Sequence, residues 1–340
     1  MLDGDRVAVQ EDLKAQEGKA ELESLESLLN DAGELDAAGV RVVHGGPKFN
    51  RSTRIDAGVL AELEKVSELA PLHNPPALAA VRAIQSLRPR LPVIACFDTA
   101  FHAMLPPEAF TYAVPEQWRD WGVRRYGFHG LSHSYASRRS AEMTGAGRIV
   151  TCHLGAGASL AAVRNAVSVD TTMGFTPMEG LVMATRSGSL DPGVLLWVQG
   201  RHSLTAAAVE RVLDRESGLL GLAGTADMRQ LLESRAGGDA GAGLAVAVYV
   251  HRLRALIAAM CAALDGLDAL VFTGGVGEHA PAIRAETCSG LGFLGVELDA
   301  AANAGARPDA EIGAGGSRVR VLVIGAREDL EIAREVRQLL

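Results

Sequence analysis

Polar side chains that could bind phosphate or carboxylate groups stand at the ends of apolar segments in this sequence. Arg41 interrupts a β-branched run, Asp98 ends another, and Arg186 lies in Ala-Thr-Arg-Ser-Gly. His73 lies in a Pro-rich segment and His129 in Tyr-Gly-Phe-His-Gly. Arginine presents a planar fork of donors that suits carboxylate and phosphate. Each of these side chains has an ordinary structural explanation, such as a loop cap or a surface ion pair, so only their combination predicts chemistry.

Two glycine-rich turns directly follow predicted buried strands. They occupy residues 155–159 (Gly-Ala-Gly-Ala-Ser) and 274–277 (Gly-Gly-Val-Gly). The backbone N–H groups of such turns can surround phosphate oxygens, although tight turns also use glycine for purely structural reasons. Together with two arginines, two histidines and a carboxylate, the turns favour a site for phosphoryl transfer.

Several common catalytic motifs are missing from the sequence or stand in the wrong context. It contains no GxxxxGK[ST], no HExxH and no GxSxG. Residues 290–295 match GxGxxG, but a predicted helix precedes them and a strand-like alternation follows, which reverses the order of a dinucleotide-binding unit. These observations argue against a P-loop nucleotidase, a zinc hydrolase, an α/β-hydrolase and a dinucleotide-binding enzyme.

Length and composition indicate a globular protein of about two domains. The chain has 340 residues, of which 48% are hydrophobic and 22% are charged. Its net charge of −8 excludes a nucleic-acid binder that acts through overall basicity. A site for an anionic ligand must therefore be locally positive.

The cysteines and the apolar segments predict a protein of the cytoplasm. Four cysteines lie far apart without a CxxC pair, as buried thiols in a reducing compartment do. Residues 1–30 are acidic and helix-patterned and contain no apolar leader. The most apolar run, residues 255–264, is too short to span a bilayer. We therefore expect a soluble protein with no membrane or nucleic-acid partner.

The hydrophobic pattern predicts α/β architecture. Strands are expected at residues 39–43, 92–97, 148–153, 160–163, 167–170, 270–273 and 319–324. Helices are expected at residues 11–32, 57–69, 132–144, 206–214, 228–234, 241–264 and 328–339. Ser132 is the expected N-cap of its helix, and residues 236–243 read as a surface loop. Hairpin strands followed by alternating helices and strands predict a mixed sheet.

Seven stretches, taken in order, resemble the acetate kinase family from about Arg41 to Glu335. They are Arg-Val-Val-His-Gly-Gly (41–46), Ala-Pro-Leu-His-Asn-Pro-Pro (70–76), Phe-Asp-Thr-Ala-Phe-His (97–102), Tyr-Gly-Phe-His-Gly (126–130), Met-Gly-Phe-Thr-Pro (173–177), Thr-Arg-Ser-Gly-Ser-Leu-Asp-Pro (185–192) and Phe-Thr-Gly-Gly-Val-Gly-Glu (272–278).

This resemblance implies a fold and an activity. The fold is the two-domain α/β fold of the actin-like ATPase and sugar-kinase superfamily, each domain a mixed sheet flanked by helices. Residues 1–99 and 327–340 would form an incomplete first domain, and residues 100–326 a second domain with the nucleotide-binding loops. The activity is reversible, magnesium-dependent phosphoryl transfer from ATP to acetate, which gives acetyl phosphate and ADP. A homodimer is also implied, with manganese as an alternative metal.

The resemblance also assigns roles by position. Arg41 and Arg186 would hold acetate and the transferring phosphoryl group, His129 would bond that group, and Asp98 would support the arginines. Acetate binding would use Arg41, Val43, Leu72, His73 and Pro177, of which the apolar three line the methyl pocket. Glu328 would help to hold magnesium. The nucleotide-binding residues would be His153, Gly155, Ala156, Gly157, Asp227, Met228, Arg229, Gly274, Gly275, Val276, Gly277 and Glu278.

The sequence departs from the family pattern chiefly at its front. Residues 1–38 do not resemble the family's opening strand and its Asn-Ala-Gly-Ser-Ser-Ser-like turn, which contacts phosphate and magnesium. We therefore expect either a truncated chain or a relative that lacks half of the magnesium site. Val40, Leu131 and Ala156 replace His, Thr and Asn, and Arg327 replaces a small or amide residue beside Glu328.

Three functions remain open from the sequence. The first is an active acetate kinase, which the intact arginines, His129, Asp98 and Glu328 favour. The second is a catalytically impaired nucleotide-binding paralogue or fragment, which the missing turn and Ala156 favour. The third is a propionate or butyrate kinase, because one methylene changes binding by only about 1–3 kcal/mol.

Overall fold

The computed structural model describes residues 1–7, 25–29, 31, 33–71 and 73–340. Most of the helix predicted at residues 11–32 lies outside them, although residues 25–29 and 31 are helical. Leu72, assigned to the methyl pocket, also lies outside. Residues 1–7, where the sequence pattern indicates helix, form instead a hairpin of two short strands.

The described residues contain strands and helices in the following order. The strands are β1 (Leu2–Asp3), β2 (Arg6–Val7), β3 (Ala38–Val42), β4 (Thr53–Arg54), β5 (Val93–Phe97), β6 (Arg148–Leu154), β7 (Ala158–Arg164), β8 (Val167–Thr171), β9 (Ala269–Thr273), β10 (Ala310–Glu311) and β11 (Arg320–Val323). The helices are α1 (Ala57–Val66), α2 (Asn74–Leu87), α3 (Pro107–Phe110), α4 (Glu116–Asp120), α5 (Gly130–Thr144), α6 (Pro192–His202), α7 (Ala206–Arg215), α8 (Gly218–Ala223), α9 (Met228–Ala236), α10 (Ala240–Ala263), α11 (Gly274–His279), α12 (Pro281–Ser289), α13 (Ala300–Ala304) and α14 (Glu328–Arg337).

The chain divides into two compact units. Unit 1 comprises Met1–Ala103 and Arg327–Leu340, and unit 2 comprises Met104–Ala326.

Unit 1 is built on a three-stranded sheet of order β3-β5-β4. All five residues of β5 are buried, as an apolar run in a covered strand should be. β3 runs parallel to β5, and this register places Arg41 opposite Cys96. Helices α2 and α14 pack on these strands, so the strand ends and the start of α14 lie near one another.

Helix α2 is absent from the sequence prediction. Pro75 and Pro76 read as part of an irregular segment, but they occupy the first turn of the helix, where a missing N–H costs nothing. His73 precedes the helix as its N-cap residue, and Asn74 begins it.

Unit 2 is built on a six-stranded sheet of order β10-β11-β9-β6-β7-β8. β6, β9 and β11 are parallel, whereas β7, β8 and β10 pair antiparallel with their neighbours. Helix α5 packs on β6 and β9, and α10 packs on β7 and β8. The predicted mixed sheet is confirmed.

Local predictions in unit 2 need three corrections. Helix α5 begins at Gly130 after His129, which adopts left-handed backbone (φ 56°), so Ser132 lies inside the helix and does not cap it. Residues 236–243 are mostly helical, because α9 ends at Ala236 and Asp239 caps α10. Residues 274–277 form the first turn of α11. In contrast, residues 290–295 follow α12, as expected for a chance GxGxxG match.

Helix α10 is the one helix among the described residues that is long and apolar enough to cross a membrane by length and composition. It has 24 residues, more than the run of residues 255–264 considered above. Nine of them are buried in unit 2, including Tyr249, Leu253 and Ile257, as in the core helix of a globular unit. All four cysteines are buried and free, as predicted.

Candidate active site

Arg41 is held by two carboxylates in unit 1. Its Nε and Nη2 donate to Asp98 over 2.7–3.1 Å, and its Nη1 donates to Glu328 Oε2 over 2.5 Å. Asp98 follows β5 directly, and its backbone N–H donates to the carbonyl of Val42 at the end of β3. Glu328 begins α14. The structure therefore brings together three of the residues that the sequence singles out, with the guanidinium fixed in one orientation.

Burial and charge act in opposite directions on this cluster. Asp98 is 1% exposed, and burial raises the pKa of its carboxyl although Arg41 lowers it. Burial likewise raises the pKa of Glu328 against the opposing effect of Arg41. Burial lowers the pKa of Arg41, but the two carboxylates outweigh it and leave that pKa raised. Arg41 thus stays a cation, with 37% of its side chain exposed.

The loop after β3 is fixed by a side chain that the sequence analysis does not single out. Asn74 is fully buried, accepts from the backbone N–H of His44 and donates to the carbonyl of the same residue. His44 Nδ1 accepts from the N–H of Gly46, and burial lowers the pKa of His44 to about 4. Half-buried Val43 and His73 flank this contact. The first turn of α2 thereby positions the residues that follow Arg41.

Three histidines form a cluster in unit 2. The rings of His129 and His153 stack with their centroids 4.3 Å apart. Ser159 Oγ lies 2.9 Å from His129 Nδ1 and 2.7 Å from His133 Nε2. Ser132 Oγ lies 2.7 Å from His153 Nδ1. The structure therefore unites the predicted His129 and His153, and it adds His133, Ser132 and Ser159.

The turn between β6 and β7 lies against this cluster. A Cβ on Gly157 would lie 3.3 Å from both Arg186 Nη1 and His129 Nε2, and a Cβ on Gly155 would lie 3.5 Å from His153 Nε2. Ala156 between them is exposed. The N–H of Gly155 donates to the carbonyl of Gly157, so this amide is already used within the turn. Glycine at 157 leaves space beside an arginine nitrogen and a histidine ring nitrogen.

Arg186 is oriented by Asp214, a residue that the sequence analysis does not single out. Its Nε donates to Asp214 Oδ1 over 2.7 Å, and its Nη1 lies 3.5 Å from the carbonyl of Pro177. Gly218, with φ 63°, permits this packing, since a Cβ there would lie 2.2 Å from the carbonyl oxygen of Met183. The chain can therefore fold closely around the arginine only with glycine at 218.

The segment that carries Pro177 is fixed by a second ion pair. Arg125 donates to Glu179 over 2.8 Å and to the carbonyls of Thr172 and Met173. Tyr112 donates to the other oxygen of Glu179 over 2.5 Å. The Pro177 segment is recognisable in the sequence, whereas the side chains that hold it are not.

The residues assigned to adenosine occupy the N-terminal ends of α9 and α11. Asp227 caps α9 by accepting from the N–H of Arg229, whose side chain is 82% exposed. Met228 is buried. Glu278 accepts from the N–H of Gly274, so this amide is also used internally. At α11, Gly275 is exposed, Val276 is half-buried and Gly277 is buried.

One carboxylate, Glu328, could help to hold a divalent metal ion that arrives with a nucleotide. Among the described residues there is no group of three or more His, Cys, Asp or Glu side chains that could hold a metal ion. Magnesium commonly takes one or two carboxylates and completes its shell with phosphate and water oxygens. Glu328 supplies one such carboxylate at the start of α14.

Arg327, which precedes Glu328, forms an ion pair with Asp329. Its guanidinium donates to Asp329 over 2.9 Å.

Comparisons with known proteins identify the family. The model of the acetokinase family matches residues 6–334. The chain belongs to the acetokinase family. This match extends nearer to the N-terminus than the motifs that begin at Arg41. Family members are phosphotransferases whose acceptor is a carboxyl group.

Individual members of the acetokinase family confirm this assignment. The chain is 49% identical over 314 residues to the acetate kinase of Gloeobacter violaceus. This match covers 91% of this chain and 78% of that protein. The acetate kinase of Porphyromonas gingivalis matches with a TM-score of 0.90 and 39% identity, over 95% of this chain and 85% of that one. A propionate kinase from Francisella tularensis matches with a TM-score of 0.87 and 37% identity, over 93% of this chain and 82% of that one. The predicted fold class is confirmed.

Proposed function

We propose that this acetokinase-family chain is an acetate kinase that transfers the γ-phosphoryl group of ATP reversibly to acetate. The observation that carries the proposal is the meeting of Arg186 Nη1 and His129 Nε2 beside Gly157, within the turn that follows β6. An arginine nitrogen and a histidine ring nitrogen thereby converge on a position that has no side chain of its own. A phosphoryl oxygen fits there by charge and by size.

The chemistry needs charge stabilisation rather than a general base. Acetate is ionised at pH 7, so its oxygen can attack phosphorus without losing a proton. The obstacle is the approach of an anion to a triphosphate and the charge spread over three equatorial oxygens. An arginine that stabilises this charge can be worth about 10³–10⁵ in rate.

The two arginines take complementary parts in this proposal. Arg41 holds the acetate carboxylate, with Asp98 and Glu328 fixing its guanidinium. Arg186 and His129 bond the transferring phosphoryl group. Asp98 is thus a positioning residue, because it acts through Arg41.

Magnesium, with manganese as an alternative, would neutralise phosphate charge when bound. Glu328 would hold it together with nucleotide oxygens and water. On the nucleotide side, His153 and the turn of residues 155–157 would contact phosphates. Asp227, Met228, Arg229 and residues 274–278 would contact adenosine.

A second candidate acid is propionate. The family resemblance assigns Val43, Leu72 and Pro177 to the methyl group of the acid, and one methylene changes binding by only about 1–3 kcal/mol. The similarity to a protein described as a propionate kinase favours this candidate over other acids.

We further propose that the two compact units are the two domains of this fold and that the protein works as a cytoplasmic homodimer. Helix α6 has no buried residue, and it exposes 46% of Val194, 72% of Leu196 and 60% of Trp197. Such an apolar face suits a second copy of the chain, which would repeat the same contact about a two-fold axis.

The decisive test is turnover by the purified chain with magnesium-ATP and acetate, propionate or butyrate. We expect the highest kcat/KM with acetate and measurable turnover with propionate. Arg186→Ala should lower kcat by about 10³-fold or more, because it removes a phosphoryl-binding cation. It should largely spare ATP binding measured by calorimetry. Arg186→Lys should not restore the rate, because a lysine lacks the planar fork.

Two outcomes would contradict this function. A folded chain that binds ATP but turns over none of the three acids would be a catalytically impaired relative. If Arg186→Ala abolished ATP binding together with transfer, the role assigned to Arg186 would be wrong.

A further inference from the structure

Two of the three clustered histidines of unit 2, His133 and His129, are joined by hydroxyl groups in one hydrogen-bonded network. Thr151 Oγ1 lies 2.7 Å from His133 Nδ1, and His133 Nε2 lies 2.7 Å from Ser159 Oγ. Ser159 Oγ in turn lies 2.9 Å from His129 Nδ1. Thr151, His133 and Ser159 are all fully buried. The hydrogen bonds therefore connect Thr151 to His133, His133 to Ser159, and Ser159 to His129.

Each hydrogen bond of this network has one donor and one acceptor. A hydroxyl has one proton to donate, and a neutral imidazole has one N–H and one acceptor nitrogen. If Ser159 donates to His129 Nδ1, it must accept from His133 Nε2. If Ser159 instead donates to His133, its oxygen accepts from His129 Nδ1. The tautomers of the two histidines are thus coupled.

Thr151 decides between the two directions. Its Oγ1 lies 2.7 Å from His133 Nδ1 but 3.5 Å from the carbonyl oxygen of Ala161. An O–H···O bond is normally 2.5–3.0 Å long, so the carbonyl is a poor acceptor for the Thr151 proton. The direction that gives the Thr151 proton a close acceptor has Thr151 donating to His133, His133 to Ser159, and Ser159 to His129.

We propose that Ser159, directed by His133 and Thr151, is a positioning residue that keeps His129 neutral and protonated on Nε2. This nitrogen lies beside Gly157, at the place where Arg186 Nη1 also arrives. The Nε2–H tautomer presents a donor there, whereas the other tautomer would present a lone pair to an anionic oxygen. The catalytic meaning of this tautomer rests on the proposed function.

The tautomer can be measured without substrate. Protein labelled with ¹⁵N-histidine gives long-range ¹H–¹⁵N spectra in which protonated and unprotonated ring nitrogens differ, and His129→Gln identifies the signals of His129 by their loss. We expect an unprotonated Nδ1 and a protonated Nε2 in the unliganded wild type. A wild-type His129 that is protonated on Nδ1 would overturn the proposal.

Variants of Ser159 test which group sets the tautomer. Ser159→Ala should give a mixture of His129 tautomers, whereas Ser159→Thr, which keeps the hydroxyl, should retain the Nε2–H form. Ser140→Ala is the matched control, because Ser140 is also fully buried in unit 2 but lies outside the hydrogen-bonded network of Thr151, His133, Ser159 and His129. An unchanged His129 spectrum in Ser159→Ala, or a mixture in folded Ser159→Thr, would contradict the role of the hydroxyl.

Kinetics separate this role from a merely structural one. Ser159→Ala should lower kcat by about 10–100-fold, less than the loss expected from removing a donor outright, with the KM for ATP little changed. A Ser159→Ala enzyme with full kcat would overturn the proposal. Wild-type protein that shows the Nε2–H tautomer but no turnover with any acid would instead overturn the proposed function and leave the tautomer assignment intact.

Discussion

At the scale of single residues, the arginines depend on carboxylates that hold them still. Arg41 makes three hydrogen bonds to Asp98 and one to Glu328, and Arg186 makes one to Asp214. A free arginine side chain would have to lose its rotamer freedom each time it bound a ligand. These ion pairs fix the arginine side chains before the ligand arrives. The contribution of each carboxylate can therefore be tested by substitution.

Asp98→Asn should destabilise the protein and slow turnover. Asparagine keeps the shape and one acceptor but loses the charge that Arg41 faces. We expect the free energy of unfolding to fall by about 1.5–3 kcal/mol, as for hydrogen bonds to charged groups. Urea unfolding measures this, with Glu64→Gln as the control. Glu64 pairs with Arg82 on the surface, so Glu64→Gln should lower the free energy of unfolding by about 0.5 kcal/mol or less. An equal decrease in Asp98→Asn and Glu64→Gln would contradict the role assigned to Asp98.

His44 predicts how the stability of unit 1 depends on pH. Burial lowers its pKa from an ordinary 6.5 to about 4, so between these values the unfolded chain binds a proton that the folded chain does not. Stability should therefore fall as the pH is lowered from 6.5 towards 4, by at most about 1.4 kcal/mol per pH unit from this group. Amide hydrogen exchange of β3 and β5 between pH 7 and 5 reports it. His44→Asn keeps an acceptor for the N–H of Gly46 and should make stability less dependent on pH. An equal dependence of stability on pH in the wild type and His44→Asn would contradict the role assigned to His44.

At the scale of elements, strand ends and helix starts present the functional groups. Asp98 follows β5, Glu328 begins α14, and His129 precedes α5. The ends of strands and helices, and the turns that join them, therefore position these groups, so a single added methyl group in such a turn should have a large effect.

Gly157→Ala tests the turn between β6 and β7. The new Cβ would stand 3.3 Å from Arg186 Nη1 and His129 Nε2, in the space assigned to a phosphoryl oxygen. We expect kcat/KM for ATP to fall at least about tenfold while the unfolding midpoint changes little. Gly243→Ala in α10 is the control, since its Cβ would meet no atom closer than 4.0 Å. Full activity in Gly157→Ala would exclude a ligand at this position.

The sequence alone allowed the main elements and the separate site residues to be predicted, but not the contacts that fix them. Apolar runs such as β5 and β9 were predictable because buried strands need continuous hydrophobicity. Helix α2 was not, because prolines mark a helix's first turn as readily as they mark a loop. Asp214, Asn74 and Ser159 carry no local signal, since their partners lie 26–30 residues away in sequence.

At the scale of the whole molecule, the exposed apolar face of α6 predicts association. Leu196→Glu places a charge on this face, and we expect it to shift the protein from dimer to monomer in sedimentation or light-scattering measurements. Phe293→Glu is the matched control, because Phe293 is equally exposed (72%) but lies at a different place in unit 2. A monomeric wild type, or dissociation by both variants alike, would contradict an interface at α6.

The central claim is direct phosphoryl transfer from ATP to acetate, and ³¹P NMR of the purified wild-type chain with magnesium-ATP and acetate tests it most directly. We predict that an acetyl phosphate signal grows in step with ADP, that the signal is lost with Arg186→Ala, and that it reverses to ATP when acetyl phosphate and ADP are supplied instead. ADP formation accompanied only by inorganic phosphate, or no change in a folded protein that binds ATP, would contradict the claim.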